Sequence, residues 1–218
     1  MRQITLDIET TGLNPNEGHK IIEIGCVELI DNFPTGNTWQ SYINPNRSVP
    51  QEAYEIHGLT EEFLSTKPTF YEISESFINF IKNSELVIHN AKFDMGFINY
   101  ELEENNIPAI KDMSVLDTVI LARKIFPGQS VSLDALCKRY KINLEKRKFH
   151  GALLDAELLA EVYLELKGGR QQGIDLNTVL NNTRKQINFE KISYSKKIYE
   201  LKEEEKKKFK KLINNINK

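Results

Sequence analysis

Two carboxylates near the start of the chain, Asp7 and Glu9, sit in the stretch I-T-L-D-I-E-T-T-G, residues 4–12. Ile4, Leu6 and Ile8 alternate with Thr5, Asp7 and Glu9, which is the period of a half-buried strand. Residues two apart on a strand point the same way. Asp7 and Glu9 therefore share one face, about 7 Å apart, and the apolar set takes the other. Two neighbouring carboxylates each make the other hold a proton more tightly. A divalent cation removes that cost, and carboxylate oxygens are the ligands that Mg2+ and Mn2+ prefer. Thr10, Thr11 and Gly12 then turn the chain, which lets backbone come close to a ligand. Alone, a D-x-E pair reads as a solvated strand face, and only partners elsewhere in the chain can overturn that.

Three residues further along are candidates. Asp94 closes H-N-A-K-F-D, at the carboxyl end of the short apolar run Leu86–Ile88, where α/β sheets place ligands. Its structural alternative is a helix N-cap. Asp155 shares a helical face with Leu159 and Val162. An acid on an inward stripe is costly unless paired or bound to metal, although a helix-start acid answering the dipole is the competing account. His150 lies five positions earlier, roughly 140° away on a helix, so the two share no helical face. If both serve one site, His150 must come from a lead-in loop, with Gly151 permitting the bend.

The elements that would carry these residues can be read from periodicity. Lys20–Ile30 and Thr38–Asn44 are a second and third strand, closed by Pro45 and Pro50 and forming an antiparallel meander with the first. E-I-H-G-L-T, residues 55–60, is a loop motif. Residues 69–81 have helical spacing, Leu86–Ile88 are a strand ending at His89-Asn90, and Asp94 enters a helix bearing Phe97, Ile98 and Leu102. Val115–Val119 is another strand, with Asp117 and Thr118 starting the next helix. Ser132 caps a helix with the stripe Leu133, Leu136, Cys137 and Tyr140. A last body helix runs from about Gly151 to Leu166. Antiparallel strands followed by strands alternating with helices imply an α/β fold with a mixed sheet flanked by helices.

Four motifs in order, D-I-E-T-T-G at 7–12, I-H-G-L-T at 56–60, H-N-A-K-F-D at 89–94 and H-G-A-L-L-D-A at 150–156, resemble the DnaQ-like 3′–5′ exonucleases of the DEDDh group. The similarity spans about residues 3–167 and includes L-D-T at 116–118 and S-L-D-A-L-C at 132–137. It implies a ribonuclease H-like fold and a two-metal phosphodiesterase. Asp7 would bridge two Mg2+ or Mn2+ ions, with Glu9 and Asp155 on one ion and Asp94 on the other. His150 would be the general base, since an imidazole that titrates near neutrality can take a proton from water. Attack at the terminal phosphodiester would release 5′-mononucleotides. His57, Gly58 and Leu59 match the family's loop near the terminal nucleotide. Gly58 would offer backbone, and Leu59 would be a wedge against a frayed end or plain core. Thr10 and Thr11 would donate to that nucleotide or simply end the strand. His89 and Asn90 would order the site, and Asp117 is assigned a structural role.

Composition separates a body from a tail. Residues 181–218 hold twelve Lys/Arg against five Glu, while the other 180 residues hold 17 basic and 26 acidic. A body this acidic should not grip nucleic acid by counterion release, so it would hold a 3′ end locally and depend on delivery. Expected boundaries are an exonuclease domain over 1–167, a Gln/Asn-rich linker over 168–182 and a basic tail over 183–218. In that tail Tyr194, Ile198, Leu201, Phe209, Leu212 and Ile216 have amphipathic helical spacing. With H-G-A-L-L-D-A-E-L-L-A-E-V-Y-L-E-L running into G-G, the resemblance narrows to the epsilon-type proofreading subunits of bacterial DNA polymerase III. It implies a tail that binds the polymerase subunit, and a sliding-clamp contact through Gln171, Ile174 and Leu176. The tail departs from that pattern in having no tryptophan, and the clamp segment in having no final aromatic. Alternatives are an RNA-trimming enzyme resembling oligoribonuclease or RNase T, or a non-catalytic adaptor on the same fold. No stretch has the apolar length of a membrane span, and Cys26 and Cys137 suit reduced core positions in a cytoplasmic protein.

Overall fold

A computed structural model of the chain describes residues 1–144, 149–169 and 203–216. It divides into two units, Met1–Gly173 and Ile174–Lys218. In the first unit, strands β1 (Arg2–Thr10), β2 (Ile21–Ile30) and β3 (Phe33–Tyr42) precede helices α1 (Gln51–His57), α2 (Glu61–Ser65) and α3 (Phe70–Ile81). Strand β4 (Glu85–Ile88), helix α4 (Ala91–Glu104), strand β5 (Val115–Asp117) and helices α5 (Thr118–Ile125), α6 (Leu133–Tyr140) and α7 (Ala152–Leu166) follow. The sheet order is β3-β2-β1-β4-β5, with β1–β2 and β2–β3 antiparallel and β1–β4 and β4–β5 parallel. This is the expected mixed sheet.

Strand β1 is its centre, and both of its faces are covered. Ile4, Leu6 and Ile8 pack with Phe77 and Ile81 of α3 and Phe97, Ile98 and Leu102 of α4. The opposite face was expected to be solvated, yet Gln3, Thr5 and Glu9 are also buried. Helix α7 lies across it, and the polar side chains are matched to that helix. Gln3 Nε2 donates to the Tyr163 hydroxyl at 2.9 Å, and Thr5 Oγ1 donates to the Ala156 carbonyl at 2.8 Å. Each such bond stabilises by about 1 kcal/mol net, and a buried polar group left without one would cost more. The alternation along β1 therefore faces two interiors, an apolar one under α3 and α4 and one under α7 in which polar side chains sit beside Leu29, Val87, Ala160 and Tyr163.

Several local features follow from side-chain chemistry. Asp31 and Asn32, both at positive φ, make the tight β2–β3 turn. Thr69 and Glu72 form a capping box on α3, Ser132 caps α6 through Ala135 N, and Asp117 caps α5 through Val119 N at 2.8 Å. That last cap ends β5 at Asp117, two residues short of the expected strand. Strand β3 begins at Phe33, five residues before expectation. Pro34 and Gly36 argue against a strand there, but β3 is the sheet edge, where a missing N–H is tolerated. The expected loop over 55–60 is corrected as well: Glu55, Ile56 and His57 are the last turn of α1, and Gly58 ends it at φ 70. Proline at the helix start and glycine just past its end are the signals for α1. Cys26 and Cys137 are buried and free.

In the second unit, helix α8 (Glu203–Ile216) starts with three glutamates at its positive end. It contains Phe209, Leu212 and Ile216 of the expected tail stripe, and Phe209 is exposed. Tyr194, Ile198 and Leu201, the clamp-like Gln171, Ile174 and Leu176, and the linker from residue 170 on lie outside the described residues. Among the described residues no helix is long and apolar enough to cross a membrane.

Candidate active site

The acids come from three elements. Asp7 and Glu9 occupy the polar face of β1, paired in the ladder with Gly25 and Glu23 of β2. Asp94 and Asp155 hold the same position in their helices, the fourth residue of α4 and of α7. Neither is a helix cap: Asn90, in the left-handed conformation, precedes α4, and Gly151 precedes α7. Both acids are buried, with 3% of their surface exposed, and Glu9 retains 8%.

Asp94 is tied directly to the first strand. Strand β4 pairs with β1 only as far as Leu6, and beyond that point the backbone N–H of Ile8 donates to the Asp94 carboxylate. The acid on α4 thus replaces a rung of the ladder between Asp7 and Glu9. Burial pushes the Asp94 carboxyl well above its ordinary range, and repulsion from Glu9 and Asp117 adds to this against the pull of its backbone hydrogen bonds.

His150 reaches the same place from the lead-in to α7, as its spacing requires. Its Nδ1 lies 3.2 Å from Asp155 Oδ2. Gly151 makes the bend at φ −148, an extended conformation open to any residue, so the bend itself does not require glycine. One donor atom each from Glu9, His150 and Asp155 lie within 4.8 Å of one another. Two carboxylates and an imidazole at this separation suit a divalent ion, and the burial of both acids gives the site a reason to hold one.

What lets α7 come so close is Gly25. A Cβ added there would collide with the Ala152–Leu153 peptide at the start of the helix. Glycine is needed at this position for close approach, not for an unusual φ.

The second expected motif lies beside the first. His150 N donates to the Ile56 carbonyl at 3.0 Å, and the Phe149 ring packs over Gly58. His57 is buried, its Nδ1 accepts from Leu59 N at 3.0 Å, and its Nε2 has no hydrogen-bond partner among the described residues. Burial lowers its pKa to about 4, so the ring is neutral and shapes the Gly58–Leu59 turn. Leu59 is half-buried, between the wedge and the core alternatives.

Other candidates are spent on structure. Thr10 Oγ1 donates to the Gly12 carbonyl at 2.6 Å, and Thr11, fully buried, accepts from Lys20 N and contacts His19 Nδ1. Both hydroxyls serve the turn. Asp117 also accepts from the amides of Asn90 and Ala91, and His89 Nδ1 meets Thr118 Oγ1 at 2.9 Å, so this pair joins the β4 and β5 ends behind Asp94. The sequence reading missed Glu23 and Phe149. A lone acid in the apolar run I-I-E-I-G-C was the available signal for Glu23.

This geometry belongs to a known class. A model of the exonuclease family matches residues 4–163, and the chain belongs to that family. It is a 3′–5′ exonuclease of the DEDDh type. The similarity extends to proteins named DNA polymerase III subunit epsilon. The one from Rickettsia conorii is 50% identical over 188 residues, covering 84% of this chain and 82% of the relative. The one from Escherichia coli K12 is 52% identical over 176 residues, covering 78% and 72%. Among solved structures, exonuclease X in complex with 5′ overhanging duplex DNA aligns with a TM-score of 0.59 and 29% identity, over 76% of this chain and 90% of that one. The nuclease domain of 3′hExo shares the fold, with a TM-score of 0.65 at 18% identity over 77% and 92%.

Proposed function

We propose that this chain proofreads DNA synthesis, hydrolysing the last phosphodiester of a frayed or single-stranded 3′ end and releasing 5′-mononucleotides. The observation that carries this is the convergence of Glu9, His150 and Asp155, with Asp94 bonded to the strand between the first two acids. Asp7, Glu9, Asp94 and Asp155 would hold two Mg2+ or Mn2+ ions. When bound, such ions neutralise the phosphate, acidify the attacking water and stabilise the departing 3′ oxygen. Asp155 Oδ2 holds the Nδ1 side of His150, which leaves Nε2 to take the proton from water. The Gly58–Leu59 turn, held beside His150 through Ile56, would bear on the terminal nucleotide together with His57. The similarity to epsilon subunits supports a polymerase partner. We assign its docking to residues 183–218 across the 168–182 linker, with Gln171, Ile174 and Leu176 as a clamp contact.

The test is degradation of matched DNA and RNA oligomers by the full chain with Mg2+ or Mn2+. Faster loss of a mispaired 3′ nucleotide from DNA is expected. A strong preference for RNA would overturn the proofreading reading in favour of an RNA-trimming enzyme. Truncation from residue 181 should leave exonuclease activity intact while ending co-purification with the polymerase. Retained co-purification would remove the docking role.

Stability should report the metal directly. Burial raises the carboxyls of Asp94, Glu23 and Glu101 above their unfolded values. Between the ordinary carboxylate range and those raised values, the native state holds more protons than the unfolded chain. Metal-free stability must therefore fall as pH rises through that window. Glu28 and Glu72, held low by Arg2 and by the Thr69 amide, act in the opposite sense. In chelator, the Tm of wild type should drop more steeply than that of Asp94→Asn as pH rises above the ordinary carboxylate range. At neutral pH, Mn2+ at a hundred times its Kd should raise the wild-type Tm by about 5–10 °C. Parallel pH curves for the two proteins would contradict the assignment of the buried charge to Asp94.

A further inference from the structure

We propose that Glu23 is a positioning residue for the exonuclease site: from β2 it holds the first turn of α7, and through it Asp155 and His150, in register with Asp7 and Glu9. The inference rests on the metal-site reading above. Glu23 is 2% exposed and stands directly opposite Glu9 in the β1–β2 ladder. Its carboxylate accepts the backbone N–H groups of Ala152 and Leu153, the first two residues of α7. Gln40 Nε2 on β3 donates to its Oε1 at 2.7 Å, which fixes the rotamer from the other side.

These bonds are not the ordinary closing of a helix. The first amides of any helix lack partners within it, and a residue just before the helix normally supplies one. Here that residue is Gly151, which has no side chain to do so. The acceptor comes instead from a strand distant in sequence, so the same bonds that cap the helix also locate it on the sheet. The positive end of α7 favours an anion there. That attraction is opposed by burial and by the nearness of Asp155, both of which disfavour a charged Glu23. An acid kept at this cost, among acids, makes hydrogen bonds whose direction matters for the residues one turn on. Asp155 N donates to the Gly151 carbonyl at 2.8 Å, so a rotation of the first turn would move the carboxylate that touches His150.

The test compares the full-length wild type with Glu23→Ala, Glu23→Gln and Glu23→Asp. Mn2+ affinity is measured by electron paramagnetic resonance, and kcat and KM on a single-stranded DNA oligomer. Glu23→Ala should weaken Mn2+ binding about tenfold or more and lower kcat to match, with KM within about twofold. Glu23→Gln should recover to within about threefold of wild type, because its amide oxygen still accepts and Gln40 can reverse its own amide. Glu23→Asp keeps the charge but falls one methylene short, so it should behave like Glu23→Ala; it carries the test if Glu23→Ala does not fold. Wild-type Mn2+ affinity and kcat in Glu23→Ala or Glu23→Asp, even with a lowered Tm, would overturn the inference while leaving the metal site standing. A wild type that binds no Mn2+ would remove the metal-site reading and this inference together.

Discussion

Asp7→Ala is expected to lower 3′–5′ exonuclease turnover by about a thousandfold or more while the protein stays folded. Asp7 lies centrally on β1, on the face that α7 covers, yet it remains partly accessible where Thr5 is fully buried. Its removal takes a charge from a crowded acidic site and leaves a small gap that water can fill. Both effects spare the fold. The loss should therefore fall on kcat and on the Mn2+-induced rise in Tm, which this variant should no longer show. Gel-resolved degradation of an end-labelled oligomer and thermal melts with and without Mn2+ check both halves. Equal activity in wild type and variant would mean that the hydrolysis comes from a contaminant or another site, and the metal reading would fall.

Gly25→Ala should be nearly as damaging for a different reason. The residue pairs with Asp7 across the β1–β2 ladder, and a methyl group there would overlap the backbone joining Ala152 and Leu153. Backbone at a helix start cannot swing aside as a flexible side chain can. Relief must come from lifting α7 off the sheet, at about 1–3 kcal/mol or more for overpacking of this kind. The lift would also stretch the Glu23 bonds to the helix and the Thr5 bond to Ala156, and it would carry Asp155 and His150 away from Glu9. The expected result is a Tm lower by about 4–10 °C together with a loss of activity of about a hundredfold or more, the second exceeding what the unfolded fraction explains. Near-normal activity in the folded fraction would show that the site tolerates a displaced α7.

Much of this was legible in residue order. The period-two alternation of Ile4, Leu6 and Ile8 against Thr5, Asp7 and Glu9 specified a strand with two unlike faces, and the mixed sheet followed from the order of strands and helices. Ser132 announced the start of α6. The five residues that would carry the reaction lie in three of the four short motifs, and the separation of His150 from Asp155 correctly required a loop before the helix. These are local properties, set by repeat and by the chemistry of neighbouring residues, and a chain displays them without folding.

What only the tertiary structure decided was where distant segments meet. Periodicity states which face of β1 is polar but not what covers it. Helix α7 turned an expected solvated face into a second interior, because Gln3 and Thr5 found partners on Tyr163 and Ala156. Strand β3 extends back through Pro34 to Phe33 because it is a sheet edge. Thr10 and Thr11 looked available to a nucleotide until the turn absorbed their hydroxyls. Glu23 and Gly25, plain residues in an apolar run, became the seat of α7 through contacts with residues more than a hundred positions later. Such contacts depend on the packing of whole elements, and that depends on shape and burial summed over the domain, which no short stretch of the chain contains.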